Sequence, residues 1–254
     1  MAKKSNPSPV VLFIASGLLL TGGWLMASFP IFIFFAWAPL FALTDRATDT
    51  SAVWEKMEWV LLSLIVSFAA AHAFDLSAIA SSMLYAILFT MSFIGHVWVR
   101  QTLGKRAGKI TIILFWLTLE YMLLKIRPGE SSFVADCVRL QPAWVRWNIH
   151  TGYLGATFWI LITNLLVYET FLSVKPFQWF WIALTLFFFL GPMAYSYSMD
   201  SGPITRAAMV NLYSGKSSVE DVTYLARGEF MVRTATWLST LILLFTFVKS
   251  QTSK

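Results

Sequence analysis

Glu120 is the residue whose position most invites chemistry. It lies in the stretch ILFWLTLEYMLLKI, about two-thirds along an apolar run. An ionisable group inside such a run is costly and needs a reason. Either it has a direct chemical role, or it is tied to a Trp or a backbone group of a neighbouring helix. Cys137, in SSFVADCVRLQ, is the chain's single cysteine, which excludes an internal disulfide and a cysteine-based metal cluster. A nucleophilic thiol needs a base or a cationic setting to lower its pKa. Arg139 is close in sequence, and His150 could approach. No known nucleophile signature surrounds the cysteine, so the plain alternative is an unreactive thiol. His72, His96 and His150 are far apart and form no ligand pair. His72, Asp75 and His96 read as interfacial residues, and Glu169 as a side chain reaching the headgroups. Asn164, in WILITNLLVYE, is a polar group in an apolar run, which interhelical hydrogen bonding explains. Gly152 and Gly155, in HTGYLGATFW, allow close helix approach. No glycine-rich phosphate loop, zinc motif or Ser-His-Asp arrangement stands out. Neither a metal nor a cofactor is expected.

The elements that must hold these residues follow from composition. Hydrophobic residues make up 57% and charged residues 13% of the 254, and the mean hydropathy is +0.67. An ordinary soluble domain carries about 25% charged residues. Water cannot solvate so much apolar surface on a chain this size, whereas lipid can. The expected fold is therefore all-α, a polytopic transmembrane bundle of about seven or eight helices, with residues 1–254 forming one membrane domain. Disorder is excluded by the same composition. The net charge of +6 reads as Lys and Arg holding cytoplasmic loops; no basic patch with interleaved aromatics points to nucleic acid.

Apolar runs predict spans at about 9–27, 29–43, 57–74, 76–98, 109–126, 151–172, 178–195 and 235–248. The first follows a basic start, MAKKSNPSPV, and reads as a retained helix rather than a cleaved signal. The second is short, carries Pro30 and Pro39, and reads as tilted or partial. The eighth is also short. Only Asp75 separates the third and fourth, which demands a tight turn. Basic residues alternate between successive loops. Lys3 and Lys4, then Arg46 and Lys56, then Arg100, Lys105, Arg106 and Lys109 place the N-terminus and these loops in the cytoplasm. Loops 127–150 and 196–234 then face the other side. Trp residues near the span ends suit an aromatic belt or, alternatively, a substrate platform. In the 196–234 segment, Ser217-Ser218-Val219-Glu220 fits a capping box and Gly228 a helix stop. Between them a short surface helix would use Val219, Val222, Tyr224 and Leu225 for apolar contacts.

Several stretches, in order, resemble the membrane domain of bacterial apolipoprotein N-acyltransferase. GLLLTGGWLMASFPIFIFFAWAPLFAL is similar to that family's first helix, its Phe-Pro turn and a helix ending in Ala-x-x-Pro-Leu. WLTLEYMLL resembles its Glu-Trp helix, with Glu120 on the Glu and Tyr121 in place of the Trp. QPAWVRWNIHTGYLGATFWILITNLL resembles its Trp, Thr-Gly, Gly and Asn segment, matched by Trp147, Thr151, Gly152, Gly155, Trp159, Ile160 and Asn164. VTYLARGEFMVRTATWLSTLILLFTFV resembles the last arm and helix. The family places a nitrilase-like domain with a Glu-Lys-Cys triad between its last two helices. Here that interval is about 40 residues, roughly Tyr195 to Thr234, and holds no cysteine. KIRPGESSFVADC also stands where the family has a Trp-Pro-Trp-like run.

The resemblance implies an inner-membrane protein, catalytically silent, that binds lipid or lipoprotein or assists envelope and lipoprotein processing. It carries over no catalytic residue. Candidates for lipid or lipoprotein binding are Glu120, Trp147, His150, Thr151 and Asn164. The expected partners are membrane phospholipid and lipoproteins or an envelope protein, with no nucleic acid. Alternatives are a membrane subunit whose catalytic domain is a separate protein, acyl transfer through Cys137, Glu120 and His150, or a small transporter. Against transport, the spans contain few intramembrane charges and no paired broken helices of the inverted-repeat kind.

Overall fold

The computed structural model describes residues 7–26, 28–48, 53–104, 108–127, 132–173, 179–216 and 228–252. Among the described residues all regular structure is helical, and the chain is an all-α membrane protein. Among the described residues five helical stretches are long and apolar enough to cross a membrane, Pro30–Thr48, Leu76–Leu103, Gly155–Leu172, Trp179–Tyr197 and Phe230–Thr252, whereas the runs expected at 9–27, 57–74 and 109–126 are helical but not among these five. At 1.5 Å per residue, even the shortest reaches roughly 27 Å. The helices are α1 (Pro9–Leu25), α2 (Ile33–Ala36), α3 (Ala38–Thr48), α4 (Val53–Ala71), α5 (Ile79–Leu103) and α6 (Thr111–Ile126). They continue with α7 (Asn148–Thr151), α8 (Gly155–Val167), α9 (Trp179–Tyr197), α10 (Arg206–Tyr213) and α11 (Phe230–Thr252).

The second and last spans are longer than the apolar runs predict. Thr44, Asp45 and Arg46 continue α3, and Arg233 and Thr234 belong to α11. Hydropathy marks where lipid solvates a helix, while the backbone ladder runs on as long as its residues tolerate it. The segment 217–227, with its expected capping box and surface helix, lies outside the described residues.

The chain divides into two compact units, residues 1–97 with 161–189 and residues 98–160 with 190–254. In the first, α1 packs on α4 and on the broken pair α2–α3. Gly23 sets how close α1 comes, since a Cβ there would lie 3.1 Å from the Ile33 side chain. Ser16 Oγ donates to the Ala36 carbonyl at 2.8 Å, and Trp24 Nε1 donates to Ser67 Oγ at 3.1 Å. The expected tight turn between α4 and α5 is present. Ala73 and Phe74 take left-handed φ values of 52° and 58°. Asp75 caps the next turn by accepting from Ser77 N at 2.9 Å. That donor holds the exposed Asp75 carboxyl below the usual aspartate value. Phe68 of α4 then stacks against Tyr85 and Phe89 of α5.

In the second unit α6 packs on α11 and touches α10. Thr118 Oγ1 donates to Ser239 Oγ at 2.9 Å, and Ser239 donates back to Ala235 of its own helix. The inward face of α11 is therefore small and polar: Ala235, Ser239 and Thr246 are buried. Its outward face is large and apolar, with Trp237, Leu241, Leu244 and Phe245 all exposed. Such a face suits lipid rather than water.

Candidate functional site

Glu120 is completely buried, and every part of its carboxylate is engaged. Oε1 accepts from Trp116 Nε1, one helical turn earlier, at 3.0 Å and from Val134 N at 2.8 Å. Oε2 accepts from Thr157 Oγ1 at 2.6 Å. Thr157 Oγ1 in turn accepts from Ala135 N at 3.1 Å. One carboxylate thus joins α6, α8 and the 3-10 turn Val134–Val138. This is the structural reading of Glu120, tied to a Trp and to backbone, although the backbone is a loop's and not a helix's.

A second buried acid completes the attachment. Asp136 Oδ2 accepts from Phe133 N at 2.9 Å, closing the turn on itself, and from Arg206 Nη1 at 2.5 Å. The Tyr153 hydroxyl donates to Oδ1. Burial pushes the Asp136 carboxyl above the usual aspartate value, and the Arg206 guanidinium opposes that rise. Arg206 also lies 5.0 Å from the centre of the Phe133 ring. Asn148 brackets a backbone segment in both directions: its Nδ2 donates to the Ile204 carbonyl at 2.8 Å, and its Oδ1 accepts from Ile204 N at 2.6 Å. Arg146 donates from N to Ser196 Oγ and from Nη1 to the Met199 carbonyl. The segment 132–157 is thereby a shelf fixed along its length by charge-assisted and two-way hydrogen bonds.

The Thr-Gly…Gly motif closes the same shelf. Gly152 has φ +81° and ψ 170°, a region open essentially to glycine. A Cβ there would lie 2.6 Å from the Gly228 carbonyl oxygen. At Gly155 a Cβ would overlap the Thr151 side chain. The glycines permit a close chain crossing rather than a helix–helix contact. Trp147 is buried edge-on against Trp159 and donates to the Trp144 carbonyl at 3.0 Å. Thr151 Oγ1 is buried without a hydrogen-bond partner among the described residues. His150 is exposed.

Asn164 is in the other unit and does a different job. Its Oδ1 accepts from Trp37 N at 2.8 Å and Ala38 N at 3.2 Å, and its Nδ2 donates to the Ile33 carbonyl at 2.8 Å. Those are groups an unbroken helix would pair along its own ladder. Pro39 cannot donate and crowds the preceding turn, so the helix breaks at Trp37 between α2 and α3. The Asn164 amide is inserted into the gap and satisfies both its donors and its acceptor. The expectation of a hydrogen bond across helices is met, with a helix break as the partner.

Of the five sequence candidates, Glu120, Trp147, His150 and Thr151 share one unit, with Glu120 and Trp147 in its core. Cys137 is 2% exposed. Burial, then the neighbouring Asp136 and Glu120 carboxylates, push its thiol well above the usual value. That is the reverse of the setting a nucleophilic thiolate requires. His96 and Glu169 are buried within the protein; Glu169 sits in a π-helical turn, Tyr168–Leu172, that continues α8. His72 donates from Nδ1 to the Phe68 carbonyl of its own helix at 2.9 Å. Sequence reasoning missed Asp136, Asn148, Tyr153 and Arg206. Asp136 and Arg206 lie 70 residues apart, and nothing local to either announces the pair.

Beside the shelf is a cavity of about 80 Å³, lined in part by Arg139, Asn148, Tyr153, Thr205 and Arg206. Ligand sites for small molecules run to about 300–1,000 Å³, so an acyl chain does not fit there. A larger apolar groove of about 200 Å³ runs along α4 and α5 in the first unit, lined by Trp54, Met57, Leu61, Ile87, Met91 and Ile94 among others. No protein-family model, curated protein or solved structure matches the chain, and its function is argued from these residues.

Proposed function

We propose that this chain is a catalytically silent relative of apolipoprotein N-acyltransferase, seated in a bacterial inner membrane with its N-terminus in the cytoplasm. It acts as a scaffold that holds lipid or a lipidated protein and assists lipoprotein or envelope processing. The observation that carries the reading is the fixed shelf 132–157. The stretches behind the resemblance, WLTLEYMLL and QPAWVRWNIHTGYLGATFWILITNLL, supply its fastenings: Glu120, Thr157, Asn148 and the Gly152 crossing. The groups with chemical potential serve that purpose. Glu120 accepts three hydrogen bonds, Asp136 is bound to Arg206, and Cys137 is held as a thiol.

The polar fastenings of this shelf are buried, its exposed residues are Arg139, Leu140, Pro142 and His150, and its own cavity is too small for an acyl chain. Acyl chains would therefore lie on the outside of the helices, along open apolar surface such as the shallow groove of α4 and α5, which does not enclose a chain. The test uses the purified full chain in detergent and a fluorescent diacylated lipopeptide, with the same peptide lacking acyl chains as control. Retention of the lipopeptide alone supports the scaffold. Equal retention of both peptides, or of neither, removes it.

A further inference from the structure

We infer that the paired ends of α6 and α11 form a binding site for the headgroup of an anionic phospholipid. The inference needs only that the chain lies in a membrane and does not depend on the lipoprotein reading. The site is assembled around Tyr121. Arg233 Nε donates to the Tyr121 hydroxyl at 3.2 Å. Lys125 Nζ lies 4.6 Å from the centre of the same ring. Both cations are therefore gathered about one side chain, and both are exposed, with 46% of the Arg233 side chain accessible.

A buried acid keeps this arrangement in place. Glu229 accepts from the Tyr213 hydroxyl and lies 3.7 Å from Arg233 Nη2. It steadies the guanidinium from the protein side. Among the described residues, two cations against one carboxylate leave positive charge in excess, carried by the exposed Lys125 and Arg233.

Both cations sit at helix ends, Lys125 in the last turn of α6 and Arg233 in the first turn of α11, a candidate membrane span. The contacts Tyr121–Arg233 and Thr118–Ser239 set the two helices antiparallel with these ends together. Below the cations the exposed surface turns apolar at once. Arg233, Trp237, Leu241 and Leu244 share one outward face of α11, and Met122 and Ile126 flank Lys125 on α6. The i, i+4, i+8, i+11 spacing makes that face a continuous track. A phosphate at Lys125 and Arg233 with acyl chains along the track matches both chemistries in one molecule. A soluble phosphate would use only the first.

The experiment is native mass spectrometry of the full chain in detergent. It would be titrated with phosphatidylglycerol or phosphatidylcholine of identical acyl chains, and separately with glycerol phosphate. Each cation near a charged lipid contributes enough to change affinity about fivefold. Wild-type protein should prefer phosphatidylglycerol at least about tenfold, and Lys125→Gln with Arg233→Gln should bring the two lipids close to parity. Arg233→Lys should keep most of the preference, because the charge and not the guanidinium shape is read. Should Arg233→Gln not fold, Lys125→Gln alone should still lower the preference about fivefold. Equal binding of the two lipids by wild-type protein overturns the site. So does a preference that survives both substitutions. Glycerol phosphate binding as well as the lipid overturns the lipid as occupant.

Discussion

Asn164 and Glu120 are buried polar side chains in apolar helices, one in each compact unit, and both are completely engaged. They solve different problems with different chemistry. Asn164 repairs a helix. A break in the ladder exposes donors and an acceptor together, and the amide accepts through its oxygen while it donates through its nitrogen. Glu120 holds a loop. It is surrounded by donors alone, and a carboxylate answers them with acceptors alone. The pattern of unmet groups chooses the residue type. A polar residue in a span is therefore read by what it faces before any catalytic role is considered.

Five substitutions break or sharpen the comparison. Asn164→Ala removes three buried hydrogen bonds to the broken ladder; at about 1–1.5 kcal/mol for each it should cost about 3–5 kcal/mol. Denaturant or thermal unfolding in detergent measures it. Asn164→Asp should still cost about 2–4 kcal/mol, since it loses the donor to Ile33 and sets a carboxylate against that carbonyl. By contrast Glu120→Gln should cost only about 1 kcal/mol, because the loop's donors keep an oxygen and the amide can face the Thr157 hydroxyl. Equal losses for these two isosteric exchanges would refute the distinction between repair and fastening.

Gly152→Ala falls between them, at about 2–3 kcal/mol. It combines a backbone region costing about 1–3 kcal/mol for other residues with an overlap on the Gly228 carbonyl. Protease accessibility of the 132–157 segment should rise with it. An unchanged digestion pattern would show that the crossing does not hold the shelf.

The smallest effect is on pH. Burial raises the Glu229 carboxyl above its ordinary value of 4.5. The folded protein thus binds this proton more tightly than the unfolded chain does. The resulting stability is complete below the ordinary value and is lost as pH rises through the raised one. Glu229→Gln should flatten that part of the stability profile. An unaltered slope would exclude Glu229 as its source.

The fold was largely legible because lipid-facing helices must be apolar throughout. Long runs therefore located every described spanning helix. The ends were less legible, since Asp45, Arg46 and Arg233 are polar yet helical. Pro30 and Pro39 marked the second span as tilted or partial but not as broken, and the residue that fills the break, Asn164, is more than a hundred positions away. Glu120 was visible as an anomaly, but its donors, Val134 and Thr157, belong to a loop and to another helix. Asp136 gave no signal, because an acid in a loop is ordinary until folding buries it. Sequence locates a costly group; only the fold identifies what offsets the cost.

The central claim is that the scaffold holds a lipidated substrate without acylating it. The most direct measurement mixes the purified chain with phospholipid and a diacylated lipopeptide and follows the lipopeptide mass. An unchanged mass, with the lipopeptide retained by the protein, is the predicted result. A gain of one acyl chain, abolished by Cys137→Ala, would contradict the account and turn the buried thiol into a nucleophile.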